Sequence, residues 1–440
     1  MTSIAAPLAL LASMLVLMAL RLPIWAAMFV PGAIGYVAYS GADAWLAYLK
    51  GIVFARFSVY DLTVIPLFLL MGQLATQGGL SRALFRAAAA FVGHWRGGLA
   101  QASVLAAAAF GSVCGSSVAT AATITQVALP EMRRFKYDAG FATATLAAGG
   151  TLGILIPPSI VLVLYAIIAE QNIARLFAAA LLPGLLAAVL YCVAIALLMS
   201  RRPELGPAEP RVAWPDRWSR LAGVLPVVAI FVIVLGGIYG GVFTAVEAAA
   251  IGVLLAALAG ALRRELNFAG LRVALLATAE MSGAIFVIFL GADMLNGALA
   301  LSQMPARAAE FVGALPLPPL AILALILLFY IVLGGVMDEL SMLVLTLPVV
   351  FPAVMQLDLF GLATEAKAIW FGVLLLTVVN IGLIAPPIGL NVYVVGALAR
   401  DVPIARTYRH VGAFLAADVV RLTVLLLVPA LTLALVQYVR

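Results

Sequence analysis

Gly153-Ile154-Leu155-Ile156-Pro157-Pro158 returns 229 residues later as Gly382-Leu383-Ile384-Ala385-Pro386-Pro387. Each copy sits inside a long apolar run. Proline has no N–H and cannot bond the carbonyl four residues back. The carbonyls of Gly153 and Ile154, and of Gly382 and Leu383, therefore lose their helical partners. In water this would matter little. The composition shows that the surroundings are not water: of 440 residues, 65% are hydrophobic and 10% charged, with a mean hydropathy of +1.19. Soluble domains run about 45–50% apolar and about 25% charged, so the solvent for this chain is lipid. That excludes a cytosolic enzyme, a secreted disulfide scaffold, a disordered chain and a nucleic-acid binder. The two cysteines, Cys114 and Cys192, and the two histidines, His94 and His410, are too few and too scattered for metal or histidine chemistry.

The apolar runs, such as Leu181–Ser200 and Leu422–Val436, are long and unalternated. A transmembrane barrel strand alternates over about 10 residues; these runs predict helices. Ten crossings are predicted near 4–20, 24–40, 61–76, 141–169, 176–199, 221–238, 242–262, 273–299, 368–399 and 411–437. The first, Ile4–Leu20, has no preceding Lys or Arg and no clear cleavage site, and reads as a retained helix. Two further stretches, 99–129 and 317–352, carry Gly, Ser or an acid at their centres and read as re-entrant hairpins. With them so placed, 18 Lys and Arg fall on one side: Arg21, Arg82, Arg86, Arg96, Arg133, Arg134, Lys136, Arg201, Arg202, Arg211, Arg217, Arg220, Arg263, Arg264, Arg272, Arg400, Arg406 and Arg409. Six fall on the other: Lys50, Arg56, Arg175, Arg307, Lys367 and Arg440. The richer side is cytoplasmic by the positive-inside rule, which puts both termini outside.

The chain thus divides into 1–220 and 221–440, each with five crossings, one hairpin and one broken helix. An odd number of crossings inverts the second half. The fold class predicted is an all-α polytopic membrane protein built as an inverted repeat, a transporter architecture with sites near the midplane. The first hairpin turns at Gly115-Ser116-Ser117, with Thr120 and Thr123 following; the second at Gly334-Gly335-Val336-Met337-Asp338-Glu339. Helix starts at such turns favour a carboxylate, while their hydroxyls and carbonyls suit a hard cation. Gly115, Ser116, Ser117, Thr120, Pro158 and Pro387 are the candidate substrate contacts. Candidate cation ligands are Ser116, Ser117, Gly153, Ile154 and Pro157 at the first break, and Gly335, Asp338, Asn380, Gly382, Leu383 and Pro386 at the second. Asp338 is the sharpest signal, because a carboxylate at membrane depth is a functional hypothesis by default; the competing role is a helix cap. Asn380 lies within one turn of the freed carbonyls and ranks above Asn391 as their support. Asp418 and Arg421 pair with each other, and Glu247, Glu280 and Asp293 read as anchors between helices.

Gly115-Ser116-Ser117-Val118-Ala119-Thr120, Gly149-Gly150-Thr151-Leu152-Gly153-Ile154-Leu155-Ile156-Pro157-Pro158-Ser159 and Gly382-Leu383-Ile384-Ala385-Pro386-Pro387-Ile388-Gly389-Leu390-Asn391 resemble, in order and spacing, the large membrane subunit of tripartite ATP-independent periplasmic (TRAP) transporters. The resemblance covers essentially the whole chain. Ala385 departs from the threonine of many members and removes one hydroxyl ligand. The resemblance implies an elevator-type fold of the ion-transporter superfamily, in which a scaffold holds a mobile domain of two hairpins and two broken helices. It implies a small four-helix membrane subunit, a periplasmic substrate-binding protein that delivers an organic acid, Na⁺ as coupling ion with no other cofactor, and a bacterial inner membrane.

A self-sufficient ion-coupled carboxylate or anion carrier of the same superfamily is the competing reading; it would transport without partner chains. An intramembrane protease using Ser116 lacks a His or Lys base at depth, and the inverted repeat argues against a passive channel. The charge split makes a direct prediction. A single cysteine at Pro210→Cys, with both native cysteines replaced, should resist an impermeant maleimide applied from the periplasmic side. Labelling there from outside would reverse the topology.

Overall fold

The computed structural model describes residues 5–439. Among them the regular structure is entirely helical. The chain opens with α1 (Ala5–Ala19), α2 (Ile24–Ser40) and α3 (Ala42–Phe57), then α4 (Val64–Gln77) and α5 (Leu80–Val92). A helical hairpin follows, α6 (Gly98–Cys114) and α7 (Ser117–Arg134), and then the pair α8 (Ala139–Leu155) and α9 (Ile160–Ile168). The long α10 (Ile173–Arg201) leads to α11 (Trp214–Ala222), α12 (Leu225–Tyr239), α13 (Ala245–Leu262) and α14 (Phe268–Leu301). The last third runs α15 (Met304–Gly313), a second hairpin of α16 (Pro319–Gly334) and α17 (Glu339–Gln356), the pair α18 (Thr364–Gly382) and α19 (Leu390–Leu398), then α20 (Ile404–Leu427) and α21 (Pro429–Leu433).

Among the described residues six helices, α10, α13, α14, α17, α18 and α20, are long and apolar enough to cross a bilayer alone; counting each bent pair as one span gives up to nine. The bent pairs are α3 with α4 at 59°, α8 with α9 at 43° and α11 with α12 at 44°. Both stretches read as hairpins are helix pairs, and both stretches read as broken helices are interrupted at the prolines. The span expected at 411–437 is divided at Pro429 into α20 and α21. Four helices are additions to the expected set: α3, α5, α11 and α15. The expected first span begins at Ile4, and the expected outer placement of the termini concerns Met1 and Arg440; all three lie outside the described residues.

The core is densest around α8 and α18, whose residues are buried almost end to end. A helix that is apolar all round belongs in the interior, and these two are wrapped by α6, α7, α10, α16, α19 and α20. Around α2 and α14 a second body forms, with α4 and α13 packed beside it. Here α3 is tied down by charge. Arg56 Nε donates to Asp293 Oδ2 at 2.6 Å, its Nη2 donates to Oδ1, and the guanidinium lies 5.4 Å from the Phe289 ring centroid. Tyr48 Oη donates to the Asp293 carbonyl at 3.1 Å. Of the expected anchors, Asp293 therefore joins two helices, whereas Glu247 closes a capping box with Thr244 at the start of α13. Removing one partner of a half-buried ion pair leaves the other uncompensated. Asp293→Ala should release α3 and raise the rate of tryptic cleavage after Lys50 and Arg56 several-fold over Asp43→Ala, a surface control. Equal rates would show that packing alone holds α3.

Candidate functional site

The first hairpin turns because Gly115 adopts a left-handed φ of +65°, a conformation open to glycine at no steric cost. Ser116 then caps α7, its Oγ accepting from Ala119 N–H at 3.4 Å. The tip rests on the first helix break: the Ile160 N–H donates to the Gly115 carbonyl at 3.3 Å. Ser159 caps α9 by accepting from Leu162 N–H at 3.4 Å. The second hairpin repeats this contact. The Ile388 N–H donates to the Gly335 carbonyl at 3.3 Å, and Asp338 caps α17, Oδ2 accepting from Ser341 N–H at 3.0 Å. Glycines let each hairpin approach its break: a Cβ on Gly153 would sit 2.4 Å from Thr120 Oγ1, and one on Gly382 would sit 2.7 Å from the Gly334 carbonyl carbon. The Pro157–Pro158 and Pro386–Pro387 bonds are both cis.

The two tips also touch each other. Ser117 Oγ, at the first position of α7, donates to Glu339 Oε1, at the first position of α17, at 2.9 Å. Both residues are buried. Buried polar atoms without a partner in the protein lie on the same helix starts, Thr120 Oγ1 on α7 and Asp338 Oδ1, Glu339 Oε2 and Ser341 Oγ at α17, and at the start of α19, Asn391 Oδ1. Buried oxygens are nearly always paired, and these atoms are the candidate ligand contacts of the two tips.

Most of the predicted site residues come together here. Gly115 sits against Pro158, and Ser116 and Thr120 against Gly153; Gly335 sits against Pro386 and Pro387, with Gly334 against Gly382, while Ser117, Ile154, Pro157 and Asp338 lie on the same tips and breaks. The breaks are not equivalent in exposure. Pro157 and Pro158 are buried, whereas Pro386, Pro387 and Ile388 are exposed together with Val336 of the second tip. Two expectations are corrected in detail. The Leu383 carbonyl is not free, because Asn391 N–H donates to it at 3.0 Å. Asn391, not Asn380, thus supports the second break, and its Nδ2 reaches the Ala147 carbonyl at 3.3 Å. Glu339, ranked below Asp338 from the sequence, holds the central position between the tips. Asp338 acts as a cap and still presents one free oxygen.

Asn380 instead belongs to a network behind the breaks. With its amide oriented to satisfy both ends, it donates to the Thr151 carbonyl at 2.8 Å and accepts from Arg421 Nη2 at 3.2 Å. Arg421 Nη2 pairs with Asp418 Oδ1 at 3.0 Å, as the spacing predicted. Tyr191 Oη donates to Asp418 Oδ2 at 2.7 Å and lies 3.3 Å from Thr151 Oγ1. Five side chains from α8, α10, α18 and α20 therefore join the two broken helices in a fully buried cluster. Thr151 and Tyr191 carried no sequence signal beyond being polar in an apolar run; Ser159 could have been found as a helix cap.

Broken helices whose ends carry unpaired oxygens, inside an apolar helical bundle, are the construction of membrane transport proteins. The comparison with known families agrees. The family of the tripartite ATP-independent periplasmic transporter, DctM component, matches residues 11–431, and the chain belongs to it. It is 33% identical over 377 residues to the C4-dicarboxylate TRAP transporter large permease protein DctM of Pseudomonas aeruginosa, covering 86% of each chain. It is 28% identical over 377 residues to the sialic acid TRAP transporter large permease protein SiaM of Vibrio cholerae, again covering 86% of each. The crystal structure of the Alcanivorax borkumensis YdaH transporter shares the fold, with a TM-score of 0.60 over 88% of each chain at 18% identity. The protein is thus a polytopic TRAP transporter permease.

The buried network yields a stability prediction. Arg421→Met strands the Asp418 carboxylate and should cost about 3–5 kcal/mol. Arg421→Met combined with Asp418→Leu should recover most of that loss, because no buried charge is left. Thermal unfolding in detergent distinguishes them, and equal destabilisation of the two variants would show that shape rather than charge matters.

Proposed function

We propose that the chain is the large transmembrane subunit of a Na⁺-coupled secondary transporter that takes up an organic acid delivered by a periplasmic binding protein. The observation that carries this reading is the cluster of partnerless oxygens where two hairpin tips meet two helix breaks. Hydroxyls, carboxylates and carbonyls without donors are hard-cation ligands. One Na⁺ sits between the first tip and Gly153–Pro157, the other between the second tip and Gly382–Pro386. The substrate carboxylate binds beside them at the starts of α7 and α17, where the helix dipoles favour an anion. Its identity differs among the named relatives, a C4-dicarboxylate in one and sialic acid in another; in such a system the binding protein carries the selectivity.

The element order supports an inverted repeat of 1–220 and 221–440: hairpin, broken helix and long helix recur in the same order. In this reading α6–α9, with α16–α19, form the mobile part of an elevator, carried against a scaffold that includes α2, α4, α13 and α14. The burial of the first break and exposure of the second are what one end state of alternating access looks like, open on one side only. A small four-helix membrane subunit completes the scaffold, the complex lies in a bacterial inner membrane, and Na⁺ is its coupling ion with no other cofactor.

Proteoliposomes carrying the chain with its small subunit and binding protein should accumulate substrate only with an inward Na⁺ gradient. Asp338→Asn should raise the Na⁺ concentration for half-maximal uptake at least tenfold. Asn caps a helix about as well as Asp, so a purely capping role predicts no change, and that outcome would remove Asp338 from the ion site. Uptake by this chain alone would favour the self-sufficient carrier.

A further inference from the structure

The arginine-rich end of the bundle contains a second built feature, away from the breaks. Arg82 and Arg86 of α5, Arg220 of α11 and Arg263 at the end of α13 line one small pocket of about 170 Å³, together with Ser219, Gly223 and Glu265. Glu265 lies 3.6 Å from Arg82. Among the described residues Arg86 and Arg220 have no carboxylate within ion-pair distance. Arg263 spends one nitrogen on the Gly223 carbonyl at 2.9 Å, and its buried Nε has no partner. Within this pocket the four arginines meet one carboxylate, Glu265; Arg82, Arg86 and Arg220 also line a neighbouring cavity with Arg134, Glu131 and Glu209, and over the two together five arginines face three carboxylates, which leaves the region cationic.

The surroundings identify the kind of anion. Arg217 fixes α11 on α5: it is buried, lies 4.8 Å from the Trp214 ring centroid and 6.0 Å from that of Phe91. That leaves Trp214 and Trp218 exposed, as aromatic residues are at a membrane interface. From the pocket rim, exposed apolar side chains continue along the helices: Leu221, Leu225 and Val228 on one side, Leu258 and Leu262 on the other. A phosphate in the pocket would therefore have its acyl chains laid on an apolar track. Basic pockets between membrane helices hold anionic headgroups in this way.

We infer that Arg82, Arg86, Arg220 and Arg263 bind the phosphate of an anionic phospholipid. The site links α5 to the α11–α13 region, so the lipid fastens together elements that lie far apart in the chain. The inference depends on the membrane setting and not on Na⁺ coupling or on the substrate.

The full chain, delipidated in neutral detergent, is titrated with phosphatidylglycerol or with phosphatidylcholine of the same acyl chains, and bound lipid is counted by native mass spectrometry. Phosphatidylglycerol should bind at least tenfold more tightly. Arg86→Gln with Arg220→Gln should weaken it roughly 25-fold, about fivefold for each charge removed near the membrane surface, and leave phosphatidylcholine unchanged. Arg400→Gln with Arg409→Gln removes the same charge elsewhere on that end and should have no effect. Millimolar inorganic phosphate should not displace the lipid. Equal binding of the two lipids, equal loss in the two double variants, or full displacement by phosphate would each overturn the assignment, the last in favour of a small-anion site. Gel filtration of both variants checks that they remain folded.

Discussion

Two helices are broken inside an apolar bundle, and the backbone groups opened there must be satisfied without water. Each unsatisfied group in such a setting costs several kcal/mol. The structure meets this demand by bringing a hairpin tip to each break. The tip supplies a carbonyl to an N–H just beyond the prolines, Gly115 to Ile160 and Gly335 to Ile388. Side chains at the next helix starts, Ser116, Ser159 and Asp338, then take up N–H groups that no intrahelical carbonyl can reach. Hairpins and breaks are thus halves of one device. Either alone would leave polar backbone exposed to hydrocarbon.

The same constraint extends to side chains. Asp418 and Arg421 place opposite charges in the interior, three residues apart on α20. A pair of this kind is retained only where each charge is also hydrogen-bonded, because desolvation can exceed the Coulomb gain. Tyr191 and Asn380 provide one such bond each, Arg421 Nε and Nη1 have no partner, and Asn380 returns a bond to Thr151 of the other broken helix. The two breaks are therefore coupled twice, at the front through Ser117 and Glu339 and at the back through this cluster.

The sequence disclosed the parts of the fold that arise from local chemistry. Pro157-Pro158 and Pro386-Pro387 remove two successive donors and interrupt a helix locally, and Gly115-Ser116 and Gly334-Gly335 supply turn residues at the centres of their apolar stretches. The hairpins and broken helices were legible for that reason. The short helices α3, α5, α11 and α15 were not. They set arginine among alanine and other apolar residues, with tryptophan in α3 and α11, so a hydropathy window reads them as loops, and docking against neighbours decides their structure. The ends of the site were illegible for a related reason. Which asparagine serves the second break depends on how the 383–389 segment folds back, and it returns the Asn391 N–H to the Leu383 carbonyl. Asn380, one turn from the break in sequence, faces the opposite way.

The neighbouring acids show how such ambiguity is resolved by geometry. Asp338 and Glu339 are adjacent in sequence, yet one ends the turn and the other begins the helix. The first bonds its own backbone and the second reaches across to Ser117. Each uses one oxygen in this way and leaves the other, Asp338 Oδ1 and Glu339 Oε2, buried and unpartnered. Among the described residues no Lys or Arg forms an ion pair with either. Carboxylates this close repel, and more strongly as water is excluded. A cation held between their free oxygens would remove that repulsion and supply the missing partner at once. In the proposed ion-coupled reading, the tips are where a bound cation would bear on stability, through these two free oxygens.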